Sequence, residues 1–366
     1  MIRRLILTLI GLLSMVQPAG CEMPLAYRVQ KLAQLPGIPW GMAFLNPSEL
    51  LVSLRAGQLL KLNTITGESN EVRNLPTIHH AGQGGLLDVA VAPGYEAGDW
   101  IYFTYSKPQG KKGATALARA RLQEHRLLQW QDLAVTVSGT DTGRHFGSRI
   151  AFDDAGHLFF SVGDRGHRPN GQDLMTHAGS ILRLNLDGSV PADNPFVKRK
   201  DALPEIWSYG HRNPQGMAFD TAHQRLWSIE HGPRGGDEIN LILPGRNYGW
   251  PVISHGMEYW GPLRVGEGTA KAGMEQPIKV YIPSIAPGSL LLFSGKSFPE
   301  WKGNLFAGAL KLTHINRDTL NSEGQAIGEE RLLADLGKRI RALVESPQGA
   351  IVFSTDDGGI YQIEAK

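Results

Sequence analysis

The chain has 366 residues, 42% of them hydrophobic and 20% charged, with a formal net charge of +2. This supplies a large globular core, and a charge so near balance, with Lys and Arg dispersed, excludes nucleic acid as the main partner. The 44 glycines and 22 prolines are scattered, which predicts many turns and no disordered linker.

Residues 1–20, "MIRRLILTLIGLLSMVQPAG", have a basic start at Arg3 and Arg4, an apolar run from Leu5 to Val16 and a small-residue end. That is the pattern of a secretory signal peptide, too short to span a bilayer securely and followed by no stop-transfer signal. The single cysteine, Cys21, follows Ala19 and Gly20 in a box similar to those of bacterial lipoproteins, with Pro18 where Leu is usual. Two readings stand: plain cleavage, giving a periplasmic protein, or lipidation of Cys21, giving an outer-membrane lipoprotein. Either way the mature chain is expected to be exported, without a disulfide, and to meet a membrane only through that anchor.

Downstream one pattern recurs, in which an apolar run ends at a turn and a second alternating strand follows. It starts at Trp40, Gly84, Gly147, Pro214, Gly288 and Arg339. Leu158, Phe160 and Val162 alternate with polar neighbours, as do Leu182, Leu184 and Leu186, which is strand periodicity. Amphipathic helical pattern is nearly absent. Six strand–turn–strand units predict an all-β six-bladed propeller of four-stranded antiparallel blades, one domain from about residue 24 to 366. The strand near "YRVQKL" is expected to complete the last blade and close the ring. Segments 104–146 and 250–285 read as loops on the binding face.

Polar residues just outside the strands are the candidates for chemistry. Five clusters qualify: "HAGQGGLLD" with His80, Gln83 and Asp88; "GRHFGSRI" with His145; "GHRNPQG" with Arg212 and Asn213; "EHGPRGGDEIN", from Glu230 to Asn240; and "GALK" with "GKRIRAL", carrying Lys311, Arg339 and Arg341. Each alone has a plain reading, since one histidine among 12 is more often structural than basic and a lone cation is usually solvated. Their weight lies in recurring at corresponding places of five blades. Turn chemistry explains Asn213, Pro214 and Gly216 in "WSYGHRNPQGMAFD" but leaves Arg212 unexplained.

These clusters resemble the soluble pyrroloquinoline-quinone (PQQ) aldose sugar dehydrogenases, relatives of soluble quinoprotein glucose dehydrogenase. The similarity runs through nearly the whole mature chain, and "IWSYGHRNPQGMAF" and "EHGPRGGDEIN…NYGWP" are its specific signatures. The resemblance implies oxidation of the anomeric hydroxyl of aldoses to lactones, with electrons passing to an external quinone, cytochrome or dye. PQQ is a planar ortho-quinone with three carboxylates, which suits fixed cations and planar donors. By resemblance, Lys311, Arg339 and Arg341, with Ala309, Leu310 and Ile340 beside them, hold the carboxylates. Gln83 and Asn213 hydrogen-bond the cofactor and Arg212 lies at the quinone oxygens. His145 is the implied general base, a role that imidazole's titration near neutrality suits. The glucose dehydrogenases carry Asp before this histidine where this chain has Arg144, a departure that favours a looser aldose range, and a tryptophan where it has Ile282, which implies a pocket more open on that side.

Calcium is the second implied cofactor. The resemblance carries one ion onto the carbonyls of Gly232 and Pro233, and a structural one onto Glu238 and the carbonyl of Tyr248; a surface salt bridge is the other reading of Glu238. Tyr259 and Trp260 either line a sugar site or pack their loop. Nicotinamide, zinc-hydrolase, Walker and serine-elbow motifs are absent. The competing readings are a calcium-dependent propeller lactonase and a non-catalytic propeller that binds sugars or proteins. The sequence leaves monomer and homodimer open.

Overall fold

The computed structural model describes residues 27–366. The signal segment 1–20 and Cys21 lie outside the described residues. Strand β1 (Tyr27–Gln34) stands apart from its sequence neighbours. Blade one then comprises β2 (Pro39–Phe44), β3 (Glu49–Leu54), β4 (Gln58–Asn63) and β5 (Ser69–Val72). Blade two is β6 (Leu86–Val91), β7 (Trp100–Gln109), β8 (Lys112–Gln123) and β9 (Arg126–Val135). Blade three is β10 (Ile150–Phe152), β11 (His157–Val162), β12 (Ser180–Asn185) and β13 (Ile206–Tyr209). Blade four is β14 (Pro214–Asp220), β15 (Arg225–Glu230), β16 (Asp237–Ile242) and β17 (Lys279–Tyr281). Blade five is β18 (Pro287–Leu292), β19 (Leu305–Ala309), β20 (Ile315–Leu320) and β21 (Ala326–Leu332). Blade six, β22 (Ile340–Glu345), β23 (Ile351–Thr355) and β24 (Gly359–Ala365), takes β1 as its fourth strand.

The first strands of the six blades pack on one another in sequence, and β22 meets β2 to close the circle. Tyr27 pairs Ala365 and Gln34 pairs Gly359, so the first described strand and the last share one sheet and the ring closes without an open seam. Segment 104–146, expected as loop, is mostly the long strands β7 to β9; its charged residues sit on sheet faces and hid the alternation. Segment 250–285 is irregular up to β17, as expected.

Adjacent blades are stapled by a hydroxyl in the second strand that donates to a carbonyl in, or just before, the first strand of the next blade. Ser53 donates to the Leu87 carbonyl, Thr104 to Ser148 at 2.6 Å, Ser161 to Pro214 at 3.1 Å and Ser354 to Pro39 at 2.8 Å. Each is buried and so supports the ring by roughly 0.5–1.5 kcal/mol. Gly216 allows a related close approach: a Cβ there would stand 2.3 Å from the Leu290 nitrogen of blade five. That contact explains the glycine of "PQGMAF". Among the described residues no helix is long and apolar enough to cross a membrane.

Candidate active site

The turns that follow the second strands converge at one end of the axis on a cavity of about 200 Å³. Its polar lining comes from four blades: Arg55 after β3, Gln83 before β6, Asn213 before β14, and Arg339 and Arg341 at β22, with Trp40 as an apolar wall. Arg339 and Arg341 share one carboxylate. Arg339 Nε donates to Asp356 at 2.7 Å, and Arg341 donates to both Asp356 oxygens at 2.8 and 3.1 Å. Burial alone would raise the Asp356 carboxyl, but the two guanidiniums hold it below its usual range.

Arg55 has no such partner. Its Nε is buried without a hydrogen bond, and burial, followed by repulsion from Arg341, lowers its pKa. Three guanidiniums therefore face one carboxylate around a concave space. Arg341 is buried, Arg55 half-buried and Arg339 exposed, and an anion in the cavity would offset the positive charge that Asp356 leaves unbalanced.

Leu310 lines the cavity and its carbonyl accepts from Arg339 Nη1 at 2.9 Å. Ala309 and Ile340 are fully buried strand residues. Lys311 departs from the expected convergence: its side chain is exposed and is not part of the cavity wall. It falls two residues past the end of β19, where the chain has turned outward to solvent.

His145 stands at the rim in a left-handed conformation, φ +56°. Its backbone N–H donates to Gln83 Oε1 at 2.7 Å, which ties it to the cavity wall. Its Nδ1 lies 2.6 Å from Asp164 Oδ1. Asp164, 1% exposed, also accepts from the Gly166 N–H and, through Oδ2, from Trp250 Nε1, each at 2.7 Å. Burial raises the Asp164 carboxyl, yet the link to His145 brings it below the usual value. Burial lowers the His145 imidazole, Asp164 opposes that, and the nearby Arg212 adds to the lowering. The result is a neutral imidazole beside an ionised carboxylate: Nδ1 carries the proton and Nε2 keeps its lone pair.

Arg212 is nearly buried. Its backbone N–H donates to Glu230 Oε2 at 2.6 Å, and its guanidinium reaches the His231 carbonyl at 3.2 Å and lies 5.3 Å from the Trp250 ring centroid. It does not line the cavity of Arg339 and Arg341, as the sequence reading had it; it lines a smaller void next door, and His231 is shared by the two. That void, about 20 Å³, has room for a single water or ion and is also bounded by Glu230, Gly232, Glu238 and Tyr248. Burial, then the neighbouring Glu230 charge, drives the Glu238 carboxyl well up. Glu238 makes no ion pair among the described residues, which removes the salt-bridge reading. Pro233 is outside the void's lining, while Gly232 is held by its N–H on Asp237 at 2.9 Å. Among the described residues no three His, Cys, Asp or Glu side chains gather as a metal cluster.

Beneath the cavity Arg149 closes the axis. It comes from blade three and donates to Asp88 of blade two at 3.1 Å, to the carbonyls of Gln215 at 2.8 Å, Gly288 at 2.6 Å and Arg341 at 3.3 Å, and its guanidinium lies 4.0 Å from the Trp40 ring centroid. One side chain thus touches all six blades. On its far side, the channel opens into a second hollow of about 360 Å³ whose walls mix apolar residues with Asp88, Ser289 and Glu345.

Sequence reasoning missed Arg55, Asp164 and Asp356. All three stand one or two residues beyond the second strand of their blades, in "SLRAG", "SVGDRG" and "FSTDDG", the register that also supplies His231. The repeat itself was the signal that could have found them.

Residues 37–362 match the family model described as Glucose / Sorbosone dehydrogenase. The chain is 38% identical over 345 residues to aldose sugar dehydrogenase YliI of Escherichia coli, with 91% of each chain covered. The crystal structure of the soluble aldose sugar dehydrogenase of Escherichia coli in the apo form superposes with TM-score 0.88 at 36% identity, covering 93% of this chain and 100% of that one. The PQQ-bound aldose sugar dehydrogenase of Streptomyces coelicolor gives TM-score 0.78 at 26% identity, covering 94% and 99%.

Proposed function

The chain belongs to the glucose/sorbosone dehydrogenase family, and from that premise we propose that it is a PQQ- and calcium-dependent enzyme oxidising the C1 hydroxyl of aldose sugars to lactones. The observation that carries the reading is the cavity in which Arg339 and Arg341 share Asp356 and Arg55 has no anionic partner, with His145 at its rim. A planar tricarboxylate supplies the missing negative charge, and bidentate guanidinium geometry suits it. The unpartnered Arg55 Nε is a donor waiting for such a group. Bound PQQ supplies the hydride-accepting quinone carbonyl.

The protein's own contribution is proton transfer and orientation. His145 Nε2 accepts the proton of the sugar C1 hydroxyl, and Asp164 stabilises the imidazolium that results. Trp250 and Gly166 hold Asp164, so the ring plane is fixed before substrate arrives. Asn213 donates to the cofactor's polar edge, while Arg212, held outside the cavity by Glu230 and the His231 carbonyl, adds positive charge beside it. Glu238, beside the single-ion void, is suited to a structural calcium: a cation there would offset the repulsion from Glu230. The second ion would take carbonyls of the tight loop carrying Gly232 and Pro233. Export to the periplasm rests on the N-terminal sequence, and an external quinone or cytochrome would take the electrons.

The test is dye-linked aldose oxidation by purified apoprotein with PQQ and calcium added singly and together. Turnover is expected only with both. Turnover without PQQ, or calcium-dependent hydrolysis of a simple lactone with no quinone present, would overturn the assignment in favour of a hydrolase.

A further inference from the structure

Beside the proposed base, the chain from Met257 to Arg264 forms a hairpin whose tip is Tyr259-Trp260-Gly261-Pro262. Glu258 N–H donates to the Leu263 carbonyl at 2.8 Å, and Met257 bridges Arg264. The hairpin is braced from two sides. Arg168, in the short helical turn Arg168–Gln172, donates through both terminal nitrogens to Glu258 at 2.6 and 2.8 Å. Arg234 exchanges backbone hydrogen bonds with Met257 at 3.1 and 3.0 Å, and its guanidinium donates to the Gly261 carbonyl at 2.6 Å.

A loop fixed this firmly would be expected to fold its aromatics inward. Instead Tyr259 is 64% and Trp260 74% exposed, with Leu263 and Ile282 exposed nearby. Ile282 is joined to the group through Gly235, whose Cβ position would lie 3.9 Å from the Ile282 side chain and which follows Arg234 directly. Single exposed apolar residues need no explanation; two adjacent exposed aromatics at the tip of a hairpin braced from both sides mark a binding surface. Its continuity with the site is direct, since Tyr259 Oη lies 3.5 Å from Arg212 Nη2. The surface therefore runs outward from the place where C1 chemistry would occur.

We propose that Trp260 and its hairpin form an outer subsite that stacks the second sugar ring of an oligosaccharide entering by its reducing end. The proposal rests on the aldose-oxidising reading given above. The axial C–H face of a pyranose is a flat apolar patch edged by hydroxyls, and a fixed indole matches it at low entropic cost. An aldose has one reducing carbon. With that carbon beside His145, the remainder of a longer chain has to leave the cleft, and the braced hairpin lies on the way out. A monosaccharide does not reach it.

The experiment compares kcat/KM for maltotriose, cellobiose and glucose in wild type, Trp260→Ala and Trp260→Phe holoenzymes. Trp260→Ala should lower the oligosaccharide-to-glucose ratio about tenfold, chiefly through KM, and Trp260→Phe should restore most of it. A parallel titration of the apoprotein with maltotriose, followed by tryptophan fluorescence, should show a quench that Trp260→Ala removes. An unchanged ratio, whether both activities fall together or neither moves, overturns the subsite. If wild type oxidises no sugar with PQQ present, the enzymatic reading itself fails, while the quench still reports whether the hairpin binds saccharide.

Discussion

The His145–Asp164 pair offers the sharpest perturbation, Asp164→Asn. Both carboxylate oxygens act as acceptors: Oδ1 takes His145 Nδ1–H and the Gly166 N–H, and Oδ2 takes Trp250 Nε1–H. An amide keeps one acceptor and turns the other into a donor. It must therefore either face Trp250 with N–H against N–H or face His145 that way and push the imidazole into the wrong tautomer. The charge is lost in both cases. A buried charge-assisted bond of this kind contributes roughly 1.5–3 kcal/mol, so kcat should drop about ten- to hundredfold. The pH profile carries the sign. A base works above its pKa, so activity fades as pH falls through the His145 value, which burial already holds below that of free histidine. Asp164 opposes the lowering, and its loss should move the acid limb to still lower pH. The assay is kcat at saturating sugar and PQQ across the acid range, with circular dichroism to verify the fold. A kcat within threefold of wild type and an unmoved limb would refute Asp164 as the partner of the base.

Arg55→Gln should weaken PQQ affinity about tenfold, measured by fluorescence quenching of the apoprotein, while apoprotein stability holds or rises because repulsion with Arg341 is removed; unchanged affinity would detach Arg55 from the cofactor. Arg149→Met leaves Asp88 buried without its cation and should cost about 3–5 kcal/mol in urea unfolding, with Arg149→Met/Asp88→Asn recovering part of the loss; a cost under 1 kcal/mol would show that the ring does not depend on this hub. His231 is pushed down to about 3 by burial, so the folded chain stays unprotonated where the unfolded chain binds a proton. Stability should therefore fall on acidification from about pH 6 to 4.5, by up to about 1.4 kcal/mol per unit from this group, and His231→Gln should show a shallower slope in urea midpoints; identical slopes would contradict the burial argument.

The ring was readable because its signal is repetition. Six starts, at Trp40, Gly84, Gly147, Pro214, Gly288 and Arg339, each lie within a few residues of the first strand of a blade. The closing role of "YRVQKL" followed from the need to leave no sheet edge bare. The loop reading of 104–146 takes in the second half of β7 with β8 and β9, because Lys107, Arg119, Arg121 and Asp132 lie on them and pair across the sheet or cap its edge, a use of charge that hydropathy alternation does not register. At the site, Gln83, Asn213, Arg339 and Arg341 were legible and do line one cavity. Lys311 and Arg212 were named on the same grounds and stand outside that cavity, one turned to solvent and one behind His231. A residue type can be read from sequence, but the direction in which a turn releases its side chain depends on local backbone geometry. Arg55, Asp164 and Asp356 escaped because each looks like an ordinary turn residue until the blades are superposed.

That shared register also bears on which sign of ligand the proposed cofactor cavity would favour. The position after the second strand supplies a cation in blade one, Asp164 in blade three, an imidazole in blade four and Asp356 in blade six; Asp164 is committed to His145 and Asp356 to two guanidiniums. A metal-centred hydrolase would need uncommitted acids at the large cavity, and its lining contains none. The acids sit instead around the smaller void, where Glu230 and Glu238 repel each other. The two voids meet at His231, whose neutral ring Nε2 is bonded to the Pro287 carbonyl at 2.6 Å. An anion in one and a cation in the other would each lower the cost of the charge left by its walls, so their binding should be mutually favourable across that histidine.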